Sequence, residues 1–316
     1  MENNNDRQLR IGVIGIGPVG GILLAHLIEA GAFVVACDVM RNRIASIKKS
    51  GLRLTHGIEK KVEVVNTCCS IQELEMYDLD VAIITAKTPA LPTVISHLAE
   101  IASDTMYVLC AQNGIDNELE VARAFSENRT LRMVINFAGN MSDINTVHVS
   151  FFHPPNYIAA LTPEGNGIAG SLTDLLNSVN LGTEIPEDIQ DLVWEKAILN
   201  SALSGICAIT RRTMKEVMDY RGTRELVEAL IDESVQVAAA EGFEFGKKFR
   251  RFSIGYLKKA GHHRPSMLID LDNGLKTEID SLNGKIMEYG RKHYSPTPLN
   301  QAVTAMVHLL EKSSQE

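Results

Sequence analysis

Three glycines, Gly15, Gly17 and Gly20, stand in G-x-G-x-x-G spacing where an apolar run, IGVIGIG, gives way to PVGGILLAHLIEAGA, whose apolar residues recur at helical spacing. At a strand-to-helix turn the first glycine permits the sharp turn, the second lets the backbone approach a pyrophosphate, and the third lets helix pack on strand. Gly15, Ile16, Gly17, Pro18, Val19 and Gly20 are therefore the expected cradle of a dinucleotide, its phosphates taking the free N–H groups of the helix N-terminus. Further on, the run FVVACD ends on Asp38, where an acid accepts hydrogen bonds from the adenosine ribose hydroxyls. A carboxylate there repels the 2′-phosphate of NADP, so NAD(H) is favoured over NADP(H), although Arg41 and Arg43 follow closely enough to accommodate a phosphate.

A second set of polar residues lies far along the chain. Lys196, Asn200 and Ser204 recur every four residues and form one polar stripe on a helix otherwise rich in Ile, Leu and Ala. Taken alone, such a lysine is an ordinary solvent-facing residue with a snorkelling stem. Ser266 follows a proline, and Glu278 lies on a later helical segment. In the first half, Lys87 ends the apolar run LDVAIITAK and Asn113 stands in the AQNG at the end of TMYVLCAQNG. Open α/β sheets bind ligands at the carboxyl ends of their strands, so both are expected to face the cofactor.

The elements that position these groups follow from periodicity. IGVIGIG, the helix after it and FVVACD make strand, helix and strand within about thirty residues, the βαβ unit of a parallel sheet. VEVVNT, a short acidic helix-like piece, LDVAIITAK, LPTVISHLAEIA, TMYVLCAQNG, LRMVINFAG and NYIAAL continue the alternation. After about Pro186 only helix-period segments remain. The expected fold is α/β, an N-terminal Rossmann-type doubly wound parallel sheet with an all-helical C-terminal domain. Residues 1–8 are expected to be a disordered tail, 9–188 the dinucleotide-binding domain and 189–316 the helical substrate and catalytic domain, the two packed around a cleft.

Composition excludes several classes. The chain has 316 residues, about twice a typical domain, and its 45% hydrophobic and 22% charged residues are ordinary for a globular protein. A net charge of −8 with scattered Lys and Arg gives no footprint for nucleic acid or anionic lipid. The opening MENNNDRQLR lacks the pattern of a secretory signal, and no apolar run reaches the roughly 18 residues of a membrane span, so a cytoplasmic location is expected. Five cysteines in no zinc-like spacing and nine histidines without an HExxH pattern predict reduced thiols and no metal.

Together these residues resemble one family, ketopantoate reductase, also called 2-dehydropantoate 2-reductase. Its marks are GxGxxG, a lysine at a strand end, QNG or HNG, W-x-K-x-x-x-N, and S-M-L-x-D followed by TEID-x-x-NG, and all occur here in order from Ile11 to beyond Gly284. The resemblance implies reduction of a 2-keto acid, ketopantoate to D-pantoate, by hydride transfer from NAD(P)H. It makes Lys196 the general acid, with Glu278 and Asn200 orienting it and the substrate, Ser266 binding the substrate carboxylate, and Lys87 and Asn113 beside the nicotinamide ribose and substrate. A lysine ammonium suits that role because the carbonyl oxygen gathers negative charge as hydride arrives at the keto carbon. Burial and a cationic neighbour would lower its pKa, whereas Glu278 would hold the proton on.

Three positions depart from the pattern. Ser204 and His263 stand where the family carries asparagines that line the substrate site, and Asp38 resembles relatives acting on D-2-hydroxy acids with NAD. The alternative within the same chemistry is an NAD-dependent D-2-hydroxy acid dehydrogenase for branched or aromatic 2-keto acids. A non-catalytic NAD(H)-binding sensor is the alternative of another class, and intact Lys196, Asn200, Ser266 and Glu278 argue against it. Apolar faces such as AVTAMVHLL fit either a homodimer interface or internal core.

Overall fold

A computed structural model describes residues 8–313. The expected tail at 1–7 lies outside the described residues; Gln8 is within them, and its side-chain amide donates to the Gly31 carbonyl. The chain divides into two compact units, one of Met1–Gln112 with Asp116–Ile189, the other of Asn113–Ile115 with Gln190–Glu316.

The first unit begins with β1 (Arg10–Ile14), α1 (Pro18–Glu29), β2 (Phe33–Cys37), α2 (Arg41–Ser50), β3 (Leu52–His56), β4 (Lys60–Val62) and β5 (Asn66–Cys68). It continues with β6 (Val81–Ile84), α3 (Leu91–Ile101), β7 (Tyr107–Cys110), α4 (Asn117–Phe125), β8 (Thr130–Val134) and β9 (Phe137–Asp143). β10 (Thr146–Phe152), β11 (Asn156–Ala160), α5 (Asn166–Ser178) and β12 (Thr183–Glu184) complete it. The main sheet has the order β12-β11-β8-β7-β6-β1-β2-β5. Its strands from β8 to β5 are mutually parallel, while β11 runs antiparallel to β8. The chain runs outward from β1 through β2 to β5, then returns to β6 on the other side of β1. This reversal makes the carboxyl ends of β1 and β6 the topological switch point, where such sheets bind ligands.

A second sheet, β4-β3-β10-β9, was not foreseen. VEVVNT, read as one strand, is split between β4 in this sheet and β5 in the main one, and LRMVINFAG is split between β8 and β9. α1 packs against strands of both sheets. That explains why every residue from Gly20 to Leu27 is buried and why its sequence lacks a polar face. Gly21 serves the same packing: a Cβ there would lie 2.8 Å from Val147 Cγ2 on β10.

Among the described residues the second unit holds helices and no strand: α6 (Ile189–Thr210), α7 (Met214–Asp219), α8 (Arg221–Glu241), α9 (Lys247–Lys258), α10 (Ser266–Asp272), α11 (Lys285–Lys292) and α12 (Pro298–Ser313). A π-turn over Asp280–Gly284 leads into α11. α6 is long and apolar enough to meet the length and hydropathy of a membrane span, contrary to the sequence expectation, but 67% of its apolar window is buried. Its buried residues contribute a large share of this unit's core. Trp194, Ile198, Ala202 and Leu203 are fully buried in the core, and Gly205 admits α12, where a Cβ would meet Val303 Cγ1 at 2.4 Å.

Candidate active site

The glycine loop has the geometry that its spacing requires. Gly15 sits at φ +95°, where a side chain is strained, and a Cβ would lie 2.6 Å from Ala86 N. At Gly20 a Cβ would lie 2.0 Å from Gly15 O, so only glycine lets α1 start so close to β1. At Gly17, by contrast, nothing lies within 4 Å of that position. Gly17 therefore faces open space at the start of α1, with Pro18 as the first helical residue and no side-chain cap on the helix N-terminus. Free N–H groups at an uncapped helix start, beside room for a pyrophosphate, fit a dinucleotide. Ile16 itself is buried, while Val19 is partly buried against the core.

Asp38 follows β2 directly and is buried. Its Oδ2 accepts from Ile16 N at 2.8 Å, its Oδ1 accepts from Met40 N at 2.8 Å, and Arg43 Nη1 pairs with Oδ2 at 3.1 Å. The carboxylate thus ties the glycine loop to the turn after β2. A carboxylate can accept about four hydrogen bonds, so three leave capacity for one more. Arg43, which sequence alone left available for a phosphate, has Asp38 as its partner.

Across the switch point, the end of β6 braces the loop. Thr85 Oγ1 donates to Gly15 O at 2.7 Å, and Thr85 and Ala86 both donate backbone N–H to Ile14 O at 2.9 Å. Lys87, next in line, is exposed at this strand end. Thr85 was missed in the sequence reading; its signal was adjacency to Lys87 at the end of a strand that returns beside β1.

In the second unit Lys196 lies on the partly exposed face of α6 with Glu195, Leu199 and Asn200. Trp194 fixes that face: its ring stacks on Phe243 at 5.2 Å and meets Tyr289 edge-on at 5.1 Å, so rotation of α6 would break both contacts. Burial, and then the charge of Asp191, push the Glu195 carboxyl above its ordinary range. Ser204, at the inner end of the stripe, is buried at 5% exposure, less open than a substrate-lining residue was expected to be.

Ser266 is exposed at the first position of α10, and His263 is half-buried just before it. The loop between α9 and α10 is pinned to α7, Met214 N donating to His263 O at 3.0 Å and Lys215 N to Gly261 O at 2.8 Å. Burial lowers the His263 imidazole, leaving it neutral at neutral pH.

Glu278 is buried immediately ahead of the π-turn. Thr277 N is held by Glu311 Oε1 at 2.7 Å, and Ser281 Oγ donates to the Glu278 carbonyl at 3.0 Å, fixing the backbone on either side. Asn113 departs from the expected division, in which it belonged to the first domain. Asn113–Ile115 groups with the helical unit, where Ile115 is core and its N–H donates to Ser281 O at 3.0 Å. The AQNG segment thus delivers Asn113 to the same turn that follows Glu278.

Comparison with known proteins bears directly on these motifs. The family model described as ketopantoate reductase PanE/ApbA matches residues 11–161, and that of its C-terminal domain matches residues 188–311. The chain belongs to the ketopantoate reductase family. It is an NAD(P)-dependent oxidoreductase by that membership. Family relatives named 2-dehydropantoate 2-reductase include one from Streptococcus pyogenes, 27% identical over 95% of this chain and 97% of its own, and one from Archaeoglobus fulgidus, 29% identical over 96% and 99%. Solved folds agree: a family member from Ralstonia eutropha superposes with a TM-score of 0.88 at 22% identity, covering 98% of this chain and all of its own. D-mandelate dehydrogenase, solved with NADH and anilino(oxo)acetate, gives 0.87 at 23% identity over 98% of this chain and 100% of its own. A ketopantoate reductase from Staphylococcus aureus, described as dimeric, gives 0.79 at 21% identity over 97% of this chain and 100% of its own.

Proposed function

We propose that the protein reduces ketopantoate to D-pantoate, with NADH preferred to NADPH. The observation that carries the reading is the Lys196–Asn200 stripe on a helix whose rotation is fixed by Trp194, together with a buried Glu278 clamped at the head of a π-turn. Gly15, Gly17, Gly20, Asp38, Lys87 and Asn113 would hold the dinucleotide, which when bound supplies a hydride to the keto carbon. Lys196 stabilises the oxygen as it becomes an alkoxide and protonates it; in the reverse direction its neutral amine takes the alcohol proton. Glu278 and Asn200 orient Lys196 and the substrate, and Ser266 donates to the substrate carboxylate. Burial favours the neutral imidazole of His263, so it would add no charge near Ser266.

The NADH preference rests on Asp38 and its pairing with Arg43. A buried carboxylate with room for one ribose hydroxyl favours the free 2′-OH, and Arg43 is engaged by the very group that would repel a 2′-phosphate. A cytoplasmic location fits the five free cysteines, and a homodimer fits the dimeric relative.

A second reading, a D-2-hydroxy acid dehydrogenase for aromatic or branched 2-keto acids, is favoured by one feature of α9. Phe252 and Tyr256 are exposed and stacked at 6.1 Å. Burial, and then the charge of Glu195 on α6, raise the Tyr256 phenol. The deciding experiment follows NADH and NADPH oxidation with ketopantoate and with a panel of branched and aromatic 2-keto acids. Saturable turnover of ketopantoate supports the first reading, and turnover of aromatic acids alone supports the second. NADH binding without turnover of any acid would contradict both.

A further inference from the structure

The motif TEIDSLNG contributes more than Glu278. Its asparagine, Asn283, is fully buried, and its Nδ2 donates to Ser201 O on α6 at 3.0 Å and to Asn300 Oδ1 on α12 at 2.9 Å. Asn300 Nδ2 donates in turn to Glu233 Oε1 at 2.8 Å, and the same carboxylate accepts the backbone N–H of Asn300 at 2.9 Å and of Leu299 at 3.1 Å. Glu233 therefore caps the N-terminus of α12 from within the core. A carboxylate only accepts, so Asn300 must offer it the amide N–H and turn its oxygen to Asn283, which must then donate to both Asn300 and α6. The chain of bonds has one direction and one arrangement.

These bonds join the segments that carry the proposed chemistry. Ser201 is the next residue on α6 after Asn200 and five after Lys196, and Asn283 is five after Glu278. The π-turn between them is closed by Gly284 N donating to Ile279 O at 3.0 Å, and its Ser281 carbonyl takes Ile115 N from the segment bearing Asn113. Turns of this kind recur where a helix is adapted to a functional site.

We infer that Asn283 is a positioning residue that sets the separation between Glu278 and the Lys196–Asn200 face, holding the π-turn to α6 with Asn300 and Glu233 as its support. The inference rests on the proposed roles of Lys196 and Glu278. An angstrom of misplacement in a reacting pair costs on the order of a hundredfold in rate, so a buried amide that fixes such a distance is felt in kcat. In the proposed roles a carboxylate held near the Lys196 amine would favour its charged form, so moving Glu278 away would favour the neutral amine.

The test measures kcat, KM for NADH, the pH profile of kcat and thermal stability for Lys196→Ala, Asn283→Ala, Asn300→Ala and the Asn283→Ala/Asn300→Ala double variant. Asn283→Ala is expected to lower kcat roughly ten- to a hundredfold, leave KM for NADH within about twofold, and move the alkaline limb of the profile to lower pH. Asn300→Ala should do the same more weakly, and the double variant should be no worse than Asn283→Ala, because the two amides act in series. A folded Asn283→Ala protein with reduced melting temperature but unaltered kcat and pH limb would overturn the inference. So would loss of fold in both single variants, since residues that only maintain the fold set no spacing. A near-normal Lys196→Ala enzyme would instead overturn the functional reading beneath it.

Discussion

The two units hold their functional groups in opposite ways. In the first, the backbone would form the proposed cradle: Gly15, Gly17 and Gly20 matter for side chains they lack, and the supporting bonds run largely to main-chain atoms, as from Thr85 Oγ1 to Gly15 O and from Ile16 N to Asp38. In the second, side chains form the jig: a buried tryptophan between two rings fixes α6, and a buried amide and carboxylate chain ties it to the π-turn. A phosphate cradle can be built from N–H groups that every residue owns, so its demands fall on conformation. Holding a lysine and a carboxylate at a working distance requires particular side chains, each needing its own partner.

The contrast can be broken by substitutions that act on one kind of support. Trp194→Ala should have the largest effect on stability, about 3–5 kcal/mol, because it removes a fully buried aromatic residue and both its ring partners lose their contact; chemical denaturation with cofactor absent would read it. Gly20→Ala should cost about 1–3 kcal/mol and abolish tight NADH binding, since the new Cβ would fall 2.0 Å from Gly15 O. Gly17→Ala is its control: with nothing within 4 Å it should melt normally and yet bind NADH at least about tenfold more weakly, as measured by fluorescence titration. Equal destabilisation by both substitutions would mean that Gly17 does not face a ligand.

Asp38→Ala removes the repelling charge and frees Arg43, so the ratio of kcat/KM for NADPH to that for NADH should rise roughly ten- to a hundredfold, the equivalent of one charged hydrogen bond. An unchanged ratio would remove Asp38 as the discriminator. The smallest effect concerns acid, and it touches one histidine in each unit. His26 in α1 and His263 are lowered by burial from an ordinary value of 6.5. Between that value and the lower folded values the unfolded chain binds more protons, so their contribution is complete above about pH 6.5 and is lost as pH falls through the folded values. The melting temperature should hold near pH 7 and decline on acidification, and His263→Gln should flatten part of the decline.

Legibility in the sequence follows the same division. The glycine loop, Asp38 and the alternating strands and helices were readable because a tight turn and a close approach admit one residue type at fixed spacing. The second sheet was not: LRLTH and TVHVSFF are short strands whose partners lie elsewhere in the chain, and β10 pairs with β3 more than ninety residues away. In the helical unit the stripe of Lys196, Asn200 and Ser204 was visible, but Ser204 is buried, and stripe geometry cannot distinguish an open position from a buried one on a core helix. Asn113 could not be assigned to the helical unit from sequence, because its segment is tied there through Ile115, by a bond to Ser281 and by packing in the helical core, with partners far along the chain. Glu233, Asn283 and Asn300 were missed for a related reason: a buried hydrogen-bond chain spanning 17 and 67 positions leaves no local period.

In the proposed mechanism Lys196 supplies the acid and the glycine loop the phosphate cradle, so removal of the first should leave the second intact. Steady-state kinetics of Lys196→Ala, with NADH binding measured separately by fluorescence, tests it directly. The expected result is a kcat lowered by about a hundredfold or more with NADH affinity unchanged. Near-normal turnover, or a loss of NADH affinity that accounts for the fall in rate, would contradict it.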